Sequence, residues 1–124
     1  MTKREARERL TGKPDPEREN KEKTVFISGP ITGIAQYEDR FELAEQALYE
    51  KGFKEVINPA TIAYVLPDLP WEAYMESLLP LIKYCDVFYS LKGWKESPGA
   101  RIEREYAARL GLELMEEKTD DGDD

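Results

Sequence analysis

Short apolar segments alternate with stretches of helical periodicity, and this alternation constrains the fold more than any other feature of the sequence. The strand-like segments are residues 24–28, 53–57, 86–91 and, at the end, 112–115. Apolar residues recur at helical spacing within residues 37–52, 69–82 and 97–111. The resulting order β-α-β-α-β-α-β predicts a parallel sheet with helices on both faces.

Local signals define the last two helices. Ser97 and Pro98 are typical of an N-cap followed by the first helical turn, and Gly111 supplies a C-terminal stop. Pro80 lies inside the preceding helix, where we expect it to kink the helix or open its hydrogen-bond ladder. Ligands of parallel α/β folds bind in the loops that follow the strands, which here are residues 28–33, 58–69 and 92–100.

Composition excludes several kinds of chemistry. The 124 residues are enough for one domain, and they include no histidine and a single cysteine, Cys85. A Ser-His-Asp triad, a Cys-His pair, a His or Cys zinc site and a disulfide framework are therefore excluded. The formal net charge of −8 argues against binding to a nucleic-acid polymer, which needs a basic face.

Charge divides the chain into three parts. Residues 1–23 carry 8 basic and 6 acidic groups, residues 116–124 carry 6 acidic groups and 1 basic group, and residues 24–115 hold nearly all the large apolar side chains. We expect one α/β domain over 24–115 between a charged, flexible N-terminal segment and a disordered acidic tail. No run approaches the roughly 18 apolar residues of a membrane helix, and a single unpaired cysteine suits a reducing compartment, so we expect a cytoplasmic protein.

Glu103 differs from its neighbour Glu105 in its helical surroundings. Arg101 and Arg109 flank Glu105 at four residues on either side, which is typical of a solvated ion pair. The helical neighbours of Glu103 are Gly99, Ala100, Tyr106 and Ala107, none of which can neutralise a carboxylate. Glu103 is therefore either a functional carboxylate facing a ligand or a side chain that reaches water, Lys92 or Lys95.

Two loops could bind a ligand. Residues 28–33 contain two glycines around a proline and a threonine, and they form either a ligand loop or an ordinary strand-to-helix turn. They match neither a P-loop nor a dinucleotide motif. Ser97, Gly99 and Ala100 place a hydroxyl and backbone N–H groups at a helix N-terminus, which favours an anion.

The other polar and aromatic candidates have competing structural explanations. Asp86 could orient a loop or cap a strand, and Trp71 and Trp94 could stack on a base or pack in the core. Cys85 is expected to be a small buried hydrophobe. A second carboxylate could come from Asp68, Glu72 or Glu76.

Four linked motifs resemble a bacterial and phage branch of the nucleoside 2-deoxyribosyltransferase-like proteins. They are residues 25–33 (VFISGPITG), 58–60 (NPA), 85–86 (CD) and 93–103 (GWKESPGARIE), and the resemblance spans about residues 24–112. The resemblance implies a three-layer Rossmann-like (flavodoxin-like) fold with a small, mainly parallel sheet of four to five strands. It also implies chemistry at an N-glycosidic bond without a metal or organic cofactor, and an assembly of at least two copies.

The resemblance assigns roles by position. Glu103 takes the place of the glutamate that attacks the anomeric carbon of a deoxyribose. Ser97 matches relatives that act on nucleoside 5′-monophosphates, with phosphate bound by Ser97 and the amides of Gly99 and Ala100. The loop of Ser28, Gly29, Pro30, Ile31, Thr32 and Gly33 would cover the sugar and base, Asp86 falls in the third motif, and Trp94 or Trp71 could be a stacking wall.

One position departs from the family pattern. Leu78 occupies the place of an aspartate that helps to position the sugar and to protonate the departing base, and losing a general acid costs about 10²–10⁴ in rate. Glu76 or a carboxylate from a neighbouring subunit could substitute for it. The leading hypothesis is a nucleotide N-glycosidase or 2-deoxyribosyltransferase-like protein. The alternatives are a nucleotide-binding module without turnover and a purely structural or interaction protein.

Overall fold

A computed structural model describes residues 20–118. Its elements, in chain order, are β1 (Thr24–Ser28), α1 (Tyr37–Glu50), β2 (Glu55–Ile57), α2 (Ala60–Val65), α3 (Trp71–Lys83), β3 (Val87–Ser90), a single 3₁₀ turn (Trp94–Glu96), α4 (Pro98–Leu110) and β4 (Glu113–Glu116). The mobility expected for residues 1–23 and 116–124 falls mostly outside the described residues, but the described parts, 20–23 and 116–118, include the buried Lys23 and the strand residue Glu116.

The strands form one sheet in the order β2-β1-β3-β4, and every pairing is parallel. This confirms the predicted Rossmann-like α/β fold, with four strands over residues 20–118. The chain runs outward from β1 to β2 and then crosses to β3 on the other side of β1, so the order reverses between β1 and β3. Their last residues, Ser28 and Ser90, are register partners at this switch point.

Strand alternation separates two cores. Val25 and Ile27 of β1 face α1, where they pack with Phe41 and Leu48. Phe26 faces the opposite side, stacks on Phe88 with ring centroids 5.9 Å apart, and packs with buried residues of α3 and α4. Because side chains alternate along a strand, Ser28 shares the face of Phe26 and lies beneath α4.

Capping follows the predicted chemistry at both ends of α4. The Ser97 side chain accepts a hydrogen bond from the Ala100 amide at 3.3 Å, and Gly111 ends the helix with a φ of 82°. Pro80 does not interrupt α3, which runs on to Lys83. The side chain of Pro80 is exposed, so its ring does not disturb the core, although its missing N–H removes one hydrogen bond from the helix.

Both ends of the domain are fixed by polar contacts. The buried Lys23 places its Nζ 2.8 Å from Glu113 Oε1. Glu116 belongs to β4, and the Glu117 amide donates to the carbonyl of Ser90 at 2.8 Å. Within residues 20–118, no helix combines the length and apolarity needed to cross a membrane.

Candidate functional site

A cavity of about 1170 Å³ opens at the switch point, beyond the carboxyl ends of β1 and β3. Its walls are the loops that follow these two strands, the start of α1, the segment from Pro59 to Met75, and the N-terminus of α4. Its volume suits a small organic ligand. Within the described part of the chain, no cluster of three or more His, Cys, Asp or Glu side chains is arranged to hold a metal ion.

Glu103 lies at the inner wall of this cavity, with only 5% of its surface exposed. Its Oε1 accepts a 2.6 Å hydrogen bond from Ser28 Oγ, a length typical of a hydroxyl bound to a carboxylate. Its Oε2 has no hydrogen-bond partner among residues 20–118, and it is not a fully buried unsatisfied atom. One oxygen is therefore fixed from below while the other is available to a ligand.

No cation of the described chain pairs with Glu103. The adjacent Arg104 points the other way: its Nη1 donates to Ser90 Oγ at 2.8 Å, and its guanidinium lies 4.3 Å from the centre of the Trp94 ring. Neither Lys92 nor Lys95 forms an ion pair with Glu103. The alternative in which Glu103 reaches a lysine or bulk water is therefore not the arrangement of this structure.

Burial raises the pKa of Glu103 to about 7, and the hydrogen bond from Ser28 opposes this increase. The carboxyl group therefore changes charge close to neutral pH. Its sequence neighbours predict an unpaired carboxylate, but they do not reveal that a large fraction is protonated at pH values below about 7.

Removal of the Ser28 hydroxyl should raise the pKa of Glu103 further. We expect Ser28→Ala to move the titration midpoint upward by about one pH unit, since one hydrogen bond to the charged form is lost. Ser90→Ala is the matched control, because Ser90 is the register partner of Ser28 but contacts Arg104. Carboxyl ¹³C shifts of labelled glutamates, assigned with Glu103→Gln, measure both midpoints. Equal midpoints for the two variants would contradict the assigned role of Ser28.

The cavity brings together most of the residues predicted from the two loops. They are Gly29, Pro30, Ile31, Thr32, Ser97, Gly99, Ala100 and Glu103. Ser28 lies beneath the cavity and acts on it through Glu103, while Gly33 lies outside its lining. Gly29 has a packing requirement as well, because a Cβ there would lie 2.8 Å from the Cβ of Leu91.

Two predicted binding residues lie elsewhere. Asp86 precedes β3, at the edge of the sheet opposite the cavity, and its Oδ2 accepts from the Thr24 amide at 3.0 Å. Trp94 is held on the β4 side. Its Nε1 donates to Glu116 Oε1 at 3.0 Å, and the Arg104 guanidinium packs over its ring in a cation–π contact. Trp71, the other proposed stacking wall, does line the cavity.

The departure at Leu78 has a packing explanation. Leu78 is fully buried in the core between the sheet and α3, and it does not line the cavity. None of Asp68, Glu72 and Glu76, the sequence candidates for a second carboxylate, lines the cavity either. Cys85 is buried, and burial raises its pKa to about 12, which agrees with an inert side chain.

Sequence reasoning missed several cavity residues. Tyr37, Phe41 and Tyr74 supply aromatic walls, and Arg40 and Lys118 supply cations. The aromatic residues fit their helical periodicities equally well as core positions. A signal was available for Tyr74, which lies one helical turn before Leu78 and therefore on the same face of α3.

Comparison with known proteins identifies one family. Residues 23–116 match the model described as a domain of unknown function, DUF4406. Neither the curated proteins nor the solved structures include a significant match to the chain.

Proposed function

We propose a function from the premise that this chain belongs to the DUF4406 family, whose model covers residues 23–116. The protein acts at the N-glycosidic bond of a nucleoside 5′-monophosphate, as an N-glycosidase or 2-deoxyribosyltransferase, with Glu103 as the nucleophile. The observation that carries this proposal is the state of Glu103: buried at the cavity wall, held at one oxygen by Ser28, and not neutralised by any cation among residues 20–118.

The reaction requires two displacements at the anomeric carbon. Glu103 Oε2 attacks C1′ while the C1′–N bond breaks, and the base departs with the electron pair of that bond. The resulting ester between Glu103 and the sugar is then cleaved by water or by a second base, which restores the carboxylate. Only the ionised carboxylate can attack, so the rate should rise with pH through the Glu103 pKa of about 7.

The substrate phosphate fits the N-terminus of α4. The Gly99 amide has no hydrogen-bond partner among the described residues, and the Ser97 hydroxyl and the helix dipole add to the attraction for an anion. The Ala100 amide already donates to Ser97 Oγ, so its part in phosphate binding requires this cap to open. Lys92 lines the same region and adds positive charge.

A second function is favoured by the surroundings of Leu78. No carboxylate of α3 lines the cavity, so the side chain expected to protonate the departing base is absent from that helix. A protein with a nucleotide cavity but no such donor would bind a nucleotide without turnover. This binding module is the alternative to the glycosidase.

A homo-oligomer is part of the proposal through the family resemblance. Tyr64, Val65 and Leu66, at the end of α2 and just after it, are exposed apolar residues, and Leu66 lines the cavity. Contact with a second copy would cover them. Sedimentation equilibrium of the full chain measures the assembly.

Base release distinguishes the two functions. The full chain is incubated with a panel of deoxynucleosides and their 5′-monophosphates, and free base is separated by chromatography. We expect release from a monophosphate in preference to its nucleoside, and a loss of at least about 10³-fold in Glu103→Gln. Glu105→Gln, on the exposed side of the same helix, is the matched control and should retain the rate. Binding of a monophosphate without base release would instead support the binding module.

A further inference from the structure

Departure of the base requires a proton donor, and Glu103 cannot be that donor. The nitrogen that leaves C1′ takes both electrons of the bond, so it needs a proton or a strong hydrogen bond in the transition state. Glu103 is committed to the sugar carbon in the proposed reaction. A separate donor must therefore face the cavity, and the inference below rests on the proposed function.

Most polar side chains that line the cavity are poorly suited to this task. Glu117 is engaged, with Oε1 accepting from the Lys92 amide at 2.8 Å and lying 3.7 Å from Arg40 Nη2. Glu96 and Thr32 are exposed, and the Ser97 hydroxyl is assigned to the phosphate at the N-terminus of α4.

Tyr74 has the required position. It lies on α3, one helical turn before the buried Leu78, so the face of α3 that packs in the core at Leu78 reaches the cavity at Tyr74. Its ring is partly buried against that core, which fixes the direction of the phenol. The hydroxyl donates only a long hydrogen bond, 3.4 Å, to the carbonyl of Pro59, so a better acceptor can replace this partner.

Electrostatics keep the proton on Tyr74 until the reaction begins. The pKa of Tyr74 is raised by burial, then by the negative charge of Glu103, and then by Tyr37. Tyr74 and Glu103 line the same cavity, so the charge of one acts on the other. When Glu103 becomes a neutral ester, this charge disappears and the phenol becomes a better donor. By contrast, the pKa of Tyr37 is raised first by burial and then by its sequence neighbour Glu38 rather than by Glu103.

We infer that Tyr74 is the hydrogen-bond and proton donor to the departing base, in the role that an acid at position 78 cannot fill. In the first step the C1′–N electron pair moves to the base nitrogen, which takes the phenolic proton as the Glu103 ester forms. In the second step water attacks C1′, its proton returns to the Tyr74 oxygen, and the Glu103 carboxylate departs. The sum is one base with its proton and one sugar hydroxyl, at the expense of one water.

Two leaving groups test this role. The full chain and Tyr74→Phe are compared on the deoxynucleoside monophosphate that the wild type cleaves fastest and on 4-nitrophenyl 2-deoxyribofuranoside 5-phosphate, whose nitrophenolate departs without a proton. We expect the substitution to reduce kcat for base release about 10²–10⁴-fold and nitrophenolate release less than about tenfold, with KM little changed. Tyr106→Phe, on α4 and outside the cavity lining, is the matched control and should affect neither rate.

The outcomes separate the inference from the proposed function. Equal losses on both substrates, or no loss on either, would overturn the role of Tyr74 while leaving Glu103 as the nucleophile. A wild-type protein that releases neither leaving group would overturn the proposed function and this role with it. Circular dichroism and the urea midpoint of Tyr74→Phe confirm that the variant folds, so a rate loss reports on chemistry.

Discussion

Replacement of Glu103 by glutamine is expected to stabilise the protein, by an amount that increases with pH. In the folded protein the Glu103 pKa is about 7, whereas an unperturbed glutamate has a pKa of 4.5. Between these values the folded state retains a proton that the unfolded state has lost, so wild-type stability falls as pH rises through this window and reaches its full loss above about pH 7. Glutamine carries no charge and avoids this loss.

The expected effect is large for a single substitution. Each pH unit of separation between the two pKa values is worth about 1.4 kcal/mol, so the variant should be more stable by roughly 3 kcal/mol at about pH 8 and by less than about 1 kcal/mol near pH 5. Urea unfolding, followed by tryptophan fluorescence at several pH values, gives the difference in the free energy of unfolding. Glu105→Gln removes a solvent-exposed glutamate of the same helix and should show no comparable pH-dependent gain. A Glu103→Gln difference that is independent of pH would contradict the buried, cation-free environment.

Leu78→Asp is expected to destabilise the fold severely without creating a catalytic acid. Leu78 is fully buried beside Phe26, Ile82 and Phe88. Loss of a buried leucine side chain costs about 2–5 kcal/mol, and an unpaired polar group in its place adds about 1–3 kcal/mol. The sum is comparable with the total stability of a typical domain, about 5–15 kcal/mol.

The control for this prediction preserves volume. Leu78→Met should cost less than about 1.5 kcal/mol, because a flexible apolar side chain of similar size fills the same space. Far-ultraviolet circular dichroism during urea titration measures both variants. If Leu78→Asp keeps the wild-type midpoint and accelerates base release, position 78 must face the substrate, and the role assigned to Tyr74 loses its basis.

Much of the fold follows from local sequence patterns. Ser97 and Gly111 define the ends of α4 because capping depends on a few adjacent atoms. The apolar run at residues 24–28 coincides with β1, because a central parallel strand is buried on both faces. The short α2 and the 3₁₀ turn at Trp94 are not apparent in advance, since they are too short to show a full helical period.

The site is only partly predictable for a related reason. Helical spacing identifies Glu103 as a glutamate without a cationic neighbour on its own helix, but the Ser28 hydrogen bond spans 75 positions and depends on how β1 packs beneath α4. Asp86 is the converse case, a residue that the sequence suggests for the site but that lies outside it. Its neighbours in sequence do not reveal that it lies at the amino edge of β3, away from the cavity. Tyr74 fits a core position by periodicity. It faces the cavity because the first turns of α3, unlike the turn at Leu78, line the cavity.

The central claim is that a Glu103 oxygen bonds to a sugar carbon, and a trapped ester tests it most directly. A 2-fluoroarabinosyl nucleoside 5′-monophosphate slows both steps, since fluorine at C2′ destabilises the oxocarbenium-like transition state. Intact-protein and peptide mass spectrometry should show one fluoroarabinosyl phosphate on Glu103 and none in Glu103→Gln. Steady release of base from an ordinary substrate with no such adduct, or an adduct on another residue, would contradict the account.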